Sequence, residues 1–176
     1  MNFKYIFFFS FIMYSILSGF VSRSGSKFML DGKSFYFGGT NTYYLHVKSH
    51  FMIDSVFDAA IKMKLKVIRC WAFNDGSNGI QYALGQFNES ALEPLDYALA
   101  SSRNKGLKLL LVLTNNCGDY GGIPQYGNWI GIGHDDFFKD VRAKNAYKKY
   151  VNFILNHVNK HNGIKYKDDD TIFFLN

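Results

Sequence analysis

Short unbroken apolar runs alternate along this chain with longer stretches in which apolar residues recur every three or four positions. The runs at 36–41, 66–73, 107–114 and 171–175 predict strands. The stretch 53–64 predicts a helix with Val56, Ala59, Ala60 and Met63 on one face. A second helix is predicted to open at a capping box, Ser90-Ala91-Leu92-Glu93. Its stripe Leu92, Leu95, Leu99 continues to about Lys105, and Gly106 ends it. The stretch 141–160 predicts an amphipathic helix with Tyr147, Val151, Ile154, Leu155 and Val158 inward. Ahead of these, 28–35 predicts a hairpin turning at Asp31-Gly32. The segment 115–136, rich in Gly, Asn and aromatics, reads as a long loop.

Strand and helix thus alternate four times, which is an α/β pattern. The strands are nearly continuous apolar runs, as in parallel sheets covered by helices. Such a series is either a doubly wound sheet or part of a (β/α)8 barrel. No Gly-x-Gly-x-x-Gly follows the first strand and no P-loop is present, so a nucleotide has no support. Polar and aromatic residues gather where strands end: Asn41, Tyr43 and Tyr44; Arg69, Trp71 and Asn74; Asn115 and Asn116. A barrel builds its site from such strand ends and loops.

Composition narrows the class. At 176 residues, 48% hydrophobic and 18% aromatic, the chain can bury a real core and is not disordered. The net charge of +6 comes from scattered lysines, with no basic stripe on one element, so no nucleic-acid partner is expected. Residues 1–22 have the layout of a secretory signal: Lys4 in a short basic start, an apolar run from Tyr5, then Ser18-Gly19. Cleavage is expected near 18–24, leaving a domain from 23 to 176 that is secreted and free of the membrane. A membrane anchor is the alternative, at the lower limit of about 17 residues for a spanning helix. Secretion makes Asn88-Glu89-Ser90 a glycosylation acceptor. It also permits Cys70 and Cys117 to pair, with two free thiols the simpler alternative. Their spacing fits no metal site, and no cofactor motif is present.

Side chains alternate along a strand, so Arg69 and Trp71 share one face and Cys70 faces the other way. If that face lines a barrel mouth, a permanent cation and a flat indole meet in a cleft. Such a pair suits a pyranose ring beside an acidic group, because an unpaired buried guanidinium is costly. The plain alternative is that Trp71 belongs to the core and Arg69 to a structural ion pair.

Several motifs then occur in order. FYFGGTNTYYL at 35–45 resembles the first-strand signature of the eukaryotic-type endo-β-1,4-mannanases of glycoside hydrolase family 5. VIRCWAFNDG at 67–76 resembles their second-strand motif, with Cys70 where Thr is usual. LKLLLVLTNNCGDYGG at 107–122 resembles their third strand and loop, with Cys117 where Trp is common. Ile123-Pro124-Gln125-Tyr126, His134-Asp135-Asp136-Phe137-Phe138 and Tyr166-Lys167-Asp168-Asp169 continue the match.

The resemblance implies the N-terminal half of a (β/α)8 barrel, about four βα units. It implies a secreted retaining hydrolase of mannan, glucomannan or galactomannan. Arg69 would support the catalytic nucleophile and Trp71 would contact substrate. Asn41, Tyr43, Asn115 and Asn116 are further candidates for the cleft, each with a turn or packing role as the alternative. His134 is expected to be a loop hydrogen-bond partner, and Asp119 with Tyr120 to shape the loop. A β-1,4-glucanase of the same family is one rival reading. A non-catalytic sugar binder using Trp71, Trp129 and tyrosines is another, and a secreted α/β domain without sugar chemistry is the blandest.

A retaining glycosidase needs two carboxylates roughly 5–5.5 Å apart. The chain has two glutamates, Glu89 and Glu93, both at one helix start. Neither follows a strand end, so both are rejected as the catalytic pair. By resemblance the acid/base glutamate follows an Asn late in the fourth strand, and Asn176 falls short of that position. The expectation is a chain ending before its catalytic residues, with no activity by itself, open strand edges and a tendency to aggregate.

Overall fold

A computed structural model describes residues 19–176. The expected leader over 1–22 therefore lies almost wholly outside the described residues. Gly19 is already tied in, its backbone N–H donating to Asp31 Oδ1 at 2.9 Å.

A small antiparallel sheet comes first, of β1 (Ser22–Ser24), β2 (Lys27–Leu30) and β3 (Lys33–Ser34). Its turn is the expected Asp31-Gly32, with φ of 50° and 74°. Positive φ at both central residues is what a tight hairpin of this twist demands. Phe28 of β2 and Phe35, just after β3, pack with Phe37 against Phe173.

The main sheet holds β4 (Gly39–Asn41), β5 (Val67–Trp71), β8 (Lys108–Val112) and β9 (Ile172–Leu175), all parallel and neighbouring in chain order. These are the four predicted strands. A two-stranded hairpin of β6 (Gln81–Ala83) and β7 (Gln86–Phe87) lies between β5 and the next helix. The covering helices are α1 (His50–Lys62), α2 (Glu93–Asn104), α3 (Gly122–Ile130) and α4 (Val141–Asn156).

One core unites the sheet with α1, α2 and α4, while Ile123 and Tyr126 of α3 pack in a second, smaller cluster with Phe137 and Ala143. Ile68, Cys70, Leu109 and Leu111 project from β5 and β8 into a cluster with Ile53 and Phe57 of α1, Leu95 and Leu99 of α2, and Tyr150 and Ile154 of α4, all fully buried. The alternate strand residues Arg69, Trp71 and Leu110 are only half-buried. Helices thus cover one face of the sheet. A doubly wound fold would cover both, so the sequential parallel order is that of opening βα units of a (β/α)8 barrel. Among the described residues β4 and β9 are sheet edges.

Several local expectations need correction. In α1 the buried stripe is Ile53, Phe57 and Ala60, while Met63 is 61% exposed. Ala59 is exposed as well, and the helix starts earlier than predicted, with the Ser49 hydroxyl accepting from Met52 N–H. The capping box does not form. Asn88 caps a 3-10 turn at Glu89–Leu92 by accepting from Ser90 N–H, and α2 starts one turn later with Pro94 in its first positions. Glu93 is left free to reach other partners. The segment 115–136 is not all loop: it contains α3 and the start of a 3-10 turn at His134–Phe138. The glycines that read as loop serve the helix entry, since Gly121 and Gly122 hold φ of 96° and 60°. Finally α4 stops at Asn156. His157 leaves it to meet Asp96, and Val158 is exposed rather than inward.

Candidate active site

The exits of β4 and β5 bring four of the five expected residues together. Arg69 and Asn41 are register partners on adjacent strands, and Arg69 Nη1 donates to Asn41 Oδ1 at 2.9 Å. Among the described residues no carboxylate lies within ion-pair distance of Arg69, so it is not part of a structural ion pair. Two residues on, Trp71 packs beside Tyr43, which sits in the 3-10 turn Tyr43–Val47 after β4, with ring centroids 5.0 Å apart. Tyr120 closes this aromatic wall, edge-on to Trp71 at 5.7 Å and to His46 at 4.9 Å.

The fifth residue, Asn115, serves its own loop. Its Nδ2 donates to the Asp119 carbonyl at 3.2 Å and its backbone carbonyl accepts from Ile123 N–H at 2.9 Å. Asn116 offers its carbonyl to His134 Nε2 at 3.0 Å, and Asp135 holds the other ring nitrogen at 2.9 Å. His134 is therefore the loop partner expected, and first the Asp135 carboxylate, then the Asn116 carbonyl, raise its pKa. Trp129 packs edge-on against Tyr126 within α3 and takes no part in the wall.

Four buried polar atoms in this region have no hydrogen-bond partner among the described residues: Trp71 Nε1, His46 Nε2, Thr114 Oγ1 and Asn115 Oδ1. Burial lowers the His46 pKa to about 4, partly opposed by its contact with the Tyr43 carbonyl, so the ring is neutral.

Beneath the wall lies a brace that the sequence did not reveal. Gln81 Nε2 donates to Asp75 Oδ1 and to Tyr126 Oη, both at 3.0 Å, joining the β5 exit to α3. All three residues are buried. Burial pushes the Asp75 carboxyl up to about 7, despite the bonds from Gln81 and from Gly122 N–H. Asn74-Asp75-Gly76 reads as an ordinary polar turn, and nothing local signals that its middle residue is enclosed by α3.

Of the cysteines, Cys70 is buried, Cys117 is exposed, and both are free. Burial raises the Cys70 thiol to about 12, which makes it inert core packing. The two glutamates lie on the helical layer: Glu89 is exposed, and Glu93 is bound by His50 and His161.

The profile of the β-mannosidase-like members of glycoside hydrolase family 5 matches residues 18–175. The chain belongs to this family. Mannan endo-1,4-beta-mannosidase 2 of Arabidopsis thaliana is 38% identical over 167 residues, covering 88% of this chain and 39% of that protein. Mannan endo-1,4-beta-mannosidase 2 of Oryza sativa subsp. japonica is 38% identical, over 87% of this chain and 37% of its own length. Among solved structures, the endo-1,4-beta-mannanase of Rhizomucor miehei superposes with a TM-score of 0.84 at 36% identity. That superposition covers 89% of this chain and 47% of that one. The endo-beta-1,4-mannanase of Thermotoga petrophila gives 0.77 at 42% identity, over 82% and 35%. The family 5 chain therefore spans between about a third and just under half the length of these relatives. Its ordered motifs and its one-sided sheet are those expected from the resemblance.

Proposed function

We propose that this chain forms the sugar-facing wall of a secreted endo-β-1,4-mannanase, acting on mannan, glucomannan or galactomannan by the retaining two-glutamate mechanism. The observation that carries the reading is Arg69. Its guanidinium faces the strand exits with an amide as its protein partner, beside an indole presented on the same face. A guanidinium so placed is matched to a carboxylate, which it would orient and keep ionised as a nucleophile. Trp71 and Tyr43 would stack on the apolar face of a mannose ring, and Asn41 would hold Arg69 in register.

The described residues hold no glutamate at a strand exit, so chemistry requires carboxylates from further βα units. The 176-residue polypeptide by itself is expected to release no reducing sugar from galactomannan. Release by purified, monomeric polypeptide would overturn the two-glutamate assignment. An active form carrying these strands is expected to cut galactomannan in preference to carboxymethyl-cellulose, with retention at the new anomeric carbon. Preference for the cellulose would select the glucanase reading. Retarded migration in galactomannan gels, without cutting by any form, would select the non-catalytic binder.

Residues 1–22 fit the same reading as a secretory leader. Ser22 pairs with Met29 of β2, so a cut at the start of the 18–24 window leaves the described fold whole, whereas a cut after 22 removes the first residue of β1. Asn88 is exposed at a turn and its Oδ1 accepts from Ser90 N–H, leaving the amide nitrogen open to a glycan. Expression through a secretory pathway is expected to give a glycosidase-sensitive mass increment that Asn88→Gln abolishes. Retention of 1–22 in the mature protein would overturn the leader assignment.

A further inference from the structure

Glu93, freed from capping, lies in the one grouping of potential metal ligands among the described residues. His50 opens α1, Glu93 opens α2, and His161 lies in the segment after α4. Glu93 Oε1 stands 2.7 Å from His50 Nε2 and 3.1 Å from His161 Nε2. The three donor atoms all lie within 4.8 Å of one another.

Their surroundings hold them in place. The His50 ring lies flat on Tyr97, with centroids 3.6 Å apart and planes 5° apart. Tyr97 Oη in turn donates to Asp54 Oδ2 at 2.6 Å, and Ser101 Oγ donates to Asp54 Oδ1 at 2.6 Å. Asn159 Oδ1 accepts from His161 N–H at 2.8 Å, fixing the backbone that carries the third side chain. Burial raises the Glu93 carboxyl, but the bonds to His50 and His161 outweigh it and hold the pKa below the ordinary value.

We propose that His50, Glu93 and His161 bind one borderline divalent cation of the zinc type through Nε2, Oε1 and Nε2, with water completing a tetrahedron. Two imidazoles and one carboxylate suit zinc or cobalt, whereas calcium and magnesium want oxygen alone. Ligand distances of about 2.0–2.2 Å set tetrahedral edges near 3.3–3.5 Å. The two Glu93 distances need lengthen by under about 1 Å to reach such an edge, and the two imidazole nitrogens already lie within 4.8 Å of each other. With side chains 44%, 43% and 33% exposed, the cluster has an open side for water. The site is on the helical layer, remote in role from the strand exits. The ion would clip the segment after α4 to the starts of α1 and α2, stabilising the folded state by mass action.

The test titrates the purified chain with Co2+, read by visible absorption, and with Zn2+, read by calorimetry and thermal unfolding. One equivalent is expected, with a rise in Tm on Zn2+ addition. His50→Ala and His161→Ala should each weaken binding by about 100-fold or more and remove the Tm response. Glu93→Gln, which keeps the side-chain volume, should also weaken binding and covers the case in which a histidine variant fails to fold. His134→Ala removes a histidine that holds a loop elsewhere and should leave the metal affinity and the Zn2+-induced rise in Tm unchanged. Binding by the wild type no tighter than by the His50→Ala/His161→Ala double variant, or binding lost in His134→Ala, would overturn the site.

Discussion

Arg69 and Asn41 are paired twice, once as register partners in adjacent parallel strands and once by a 2.9 Å bond from Nη1 to Oδ1. The backbone ladder thus sets the side-chain pair, and the guanidinium cannot turn without losing the amide. Its remaining donors are left for a group arriving at the strand exits. A lysine would keep the charge but lose the planar fork that grips a carboxylate by two bonds. In an active form, Arg69→Lys is expected to lower kcat on galactomannan by about 100-fold with KM nearly unchanged. Asn41→Ala should cost about 1 kcal/mol of stability and a smaller part of kcat. Equal kcat in Arg69→Lys and wild type would remove the proposed support role.

Trp71 divides its surface between the core and the cleft. It packs against Phe73 at 4.9 Å and Tyr43 at 5.0 Å, while its Nε1 has no partner among the described residues. Trp71→Phe keeps a ring for packing and stacking but removes the N–H. Trp71→Ala is expected to destabilise by about 2–3 kcal/mol, below the range for a wholly buried Trp. Retardation in galactomannan gels should weaken in Trp71→Phe and vanish in Trp71→Ala. Undiminished retardation in folded Trp71→Ala would place the sugar elsewhere.

The sequence made the main sheet and its mouth readable because both follow from short-range rules. Val67-Ile68 and Leu107 to Leu111 are apolar runs of strand length, and alternation alone put Arg69 and Trp71 on one face away from Cys70. Ends and partners were harder. The Ser90 capping box has the right residues, yet Asn88 takes the cap and Glu93 binds two histidines 43 positions before it and 68 after it. Gly121-Gly122 is legible as a break but not as a helix entry. Asp75 looks exposed because its burial comes from α3, which local pattern does not predict. Asn115 was a fair strand-end candidate, but its amide is used by the loop that it begins.

Asp96 ties together the part of the chain farthest from simple pattern. It is fully buried in α2, and its carboxylate accepts from His157 Nε2 at 2.9 Å, Tyr166 Oη at 2.8 Å and Lys160 N–H at 3.2 Å. The segment from α4 to β9 thus has one anchor in this side chain, beside the Arg103 pairs with Asp169 and Asp170. Asp96→Ala strands an imidazole, a phenol and an amide in the interior and should destabilise by about 3–5 kcal/mol. Asp96→Asn keeps the shape but supplies fewer acceptors, and should cost about half as much. Denaturant midpoints measure both. A loss under 1 kcal/mol in Asp96→Ala would mean that this segment is held by other contacts.

Two buried groups near the mouth impose opposite pH dependences on stability. Asp75 titrates near 3.8 when unfolded and at about 7 when folded. Between those values the folded state keeps a proton that the unfolded state releases, so this contribution falls as pH rises from about 4 to 7. His46 titrates near 6.5 when unfolded and at about 4 when folded. Here the unfolded state holds the extra proton, so its contribution rises with pH from about 4 to 6.5 and is lost on acidification. The two oppose each other below 6.5, and Asp75 acts alone just above. Asp75→Asn should tilt the profile toward stability that rises with pH, and His46→Leu should tilt it the other way. Each tilt should approach about 1 kcal/mol per pH unit at its steepest, relative to wild type. Unfolding midpoints measured from pH 4.5 to 7.5 decide it, since parallel profiles for all three proteins would show that neither group titrates as its burial demands.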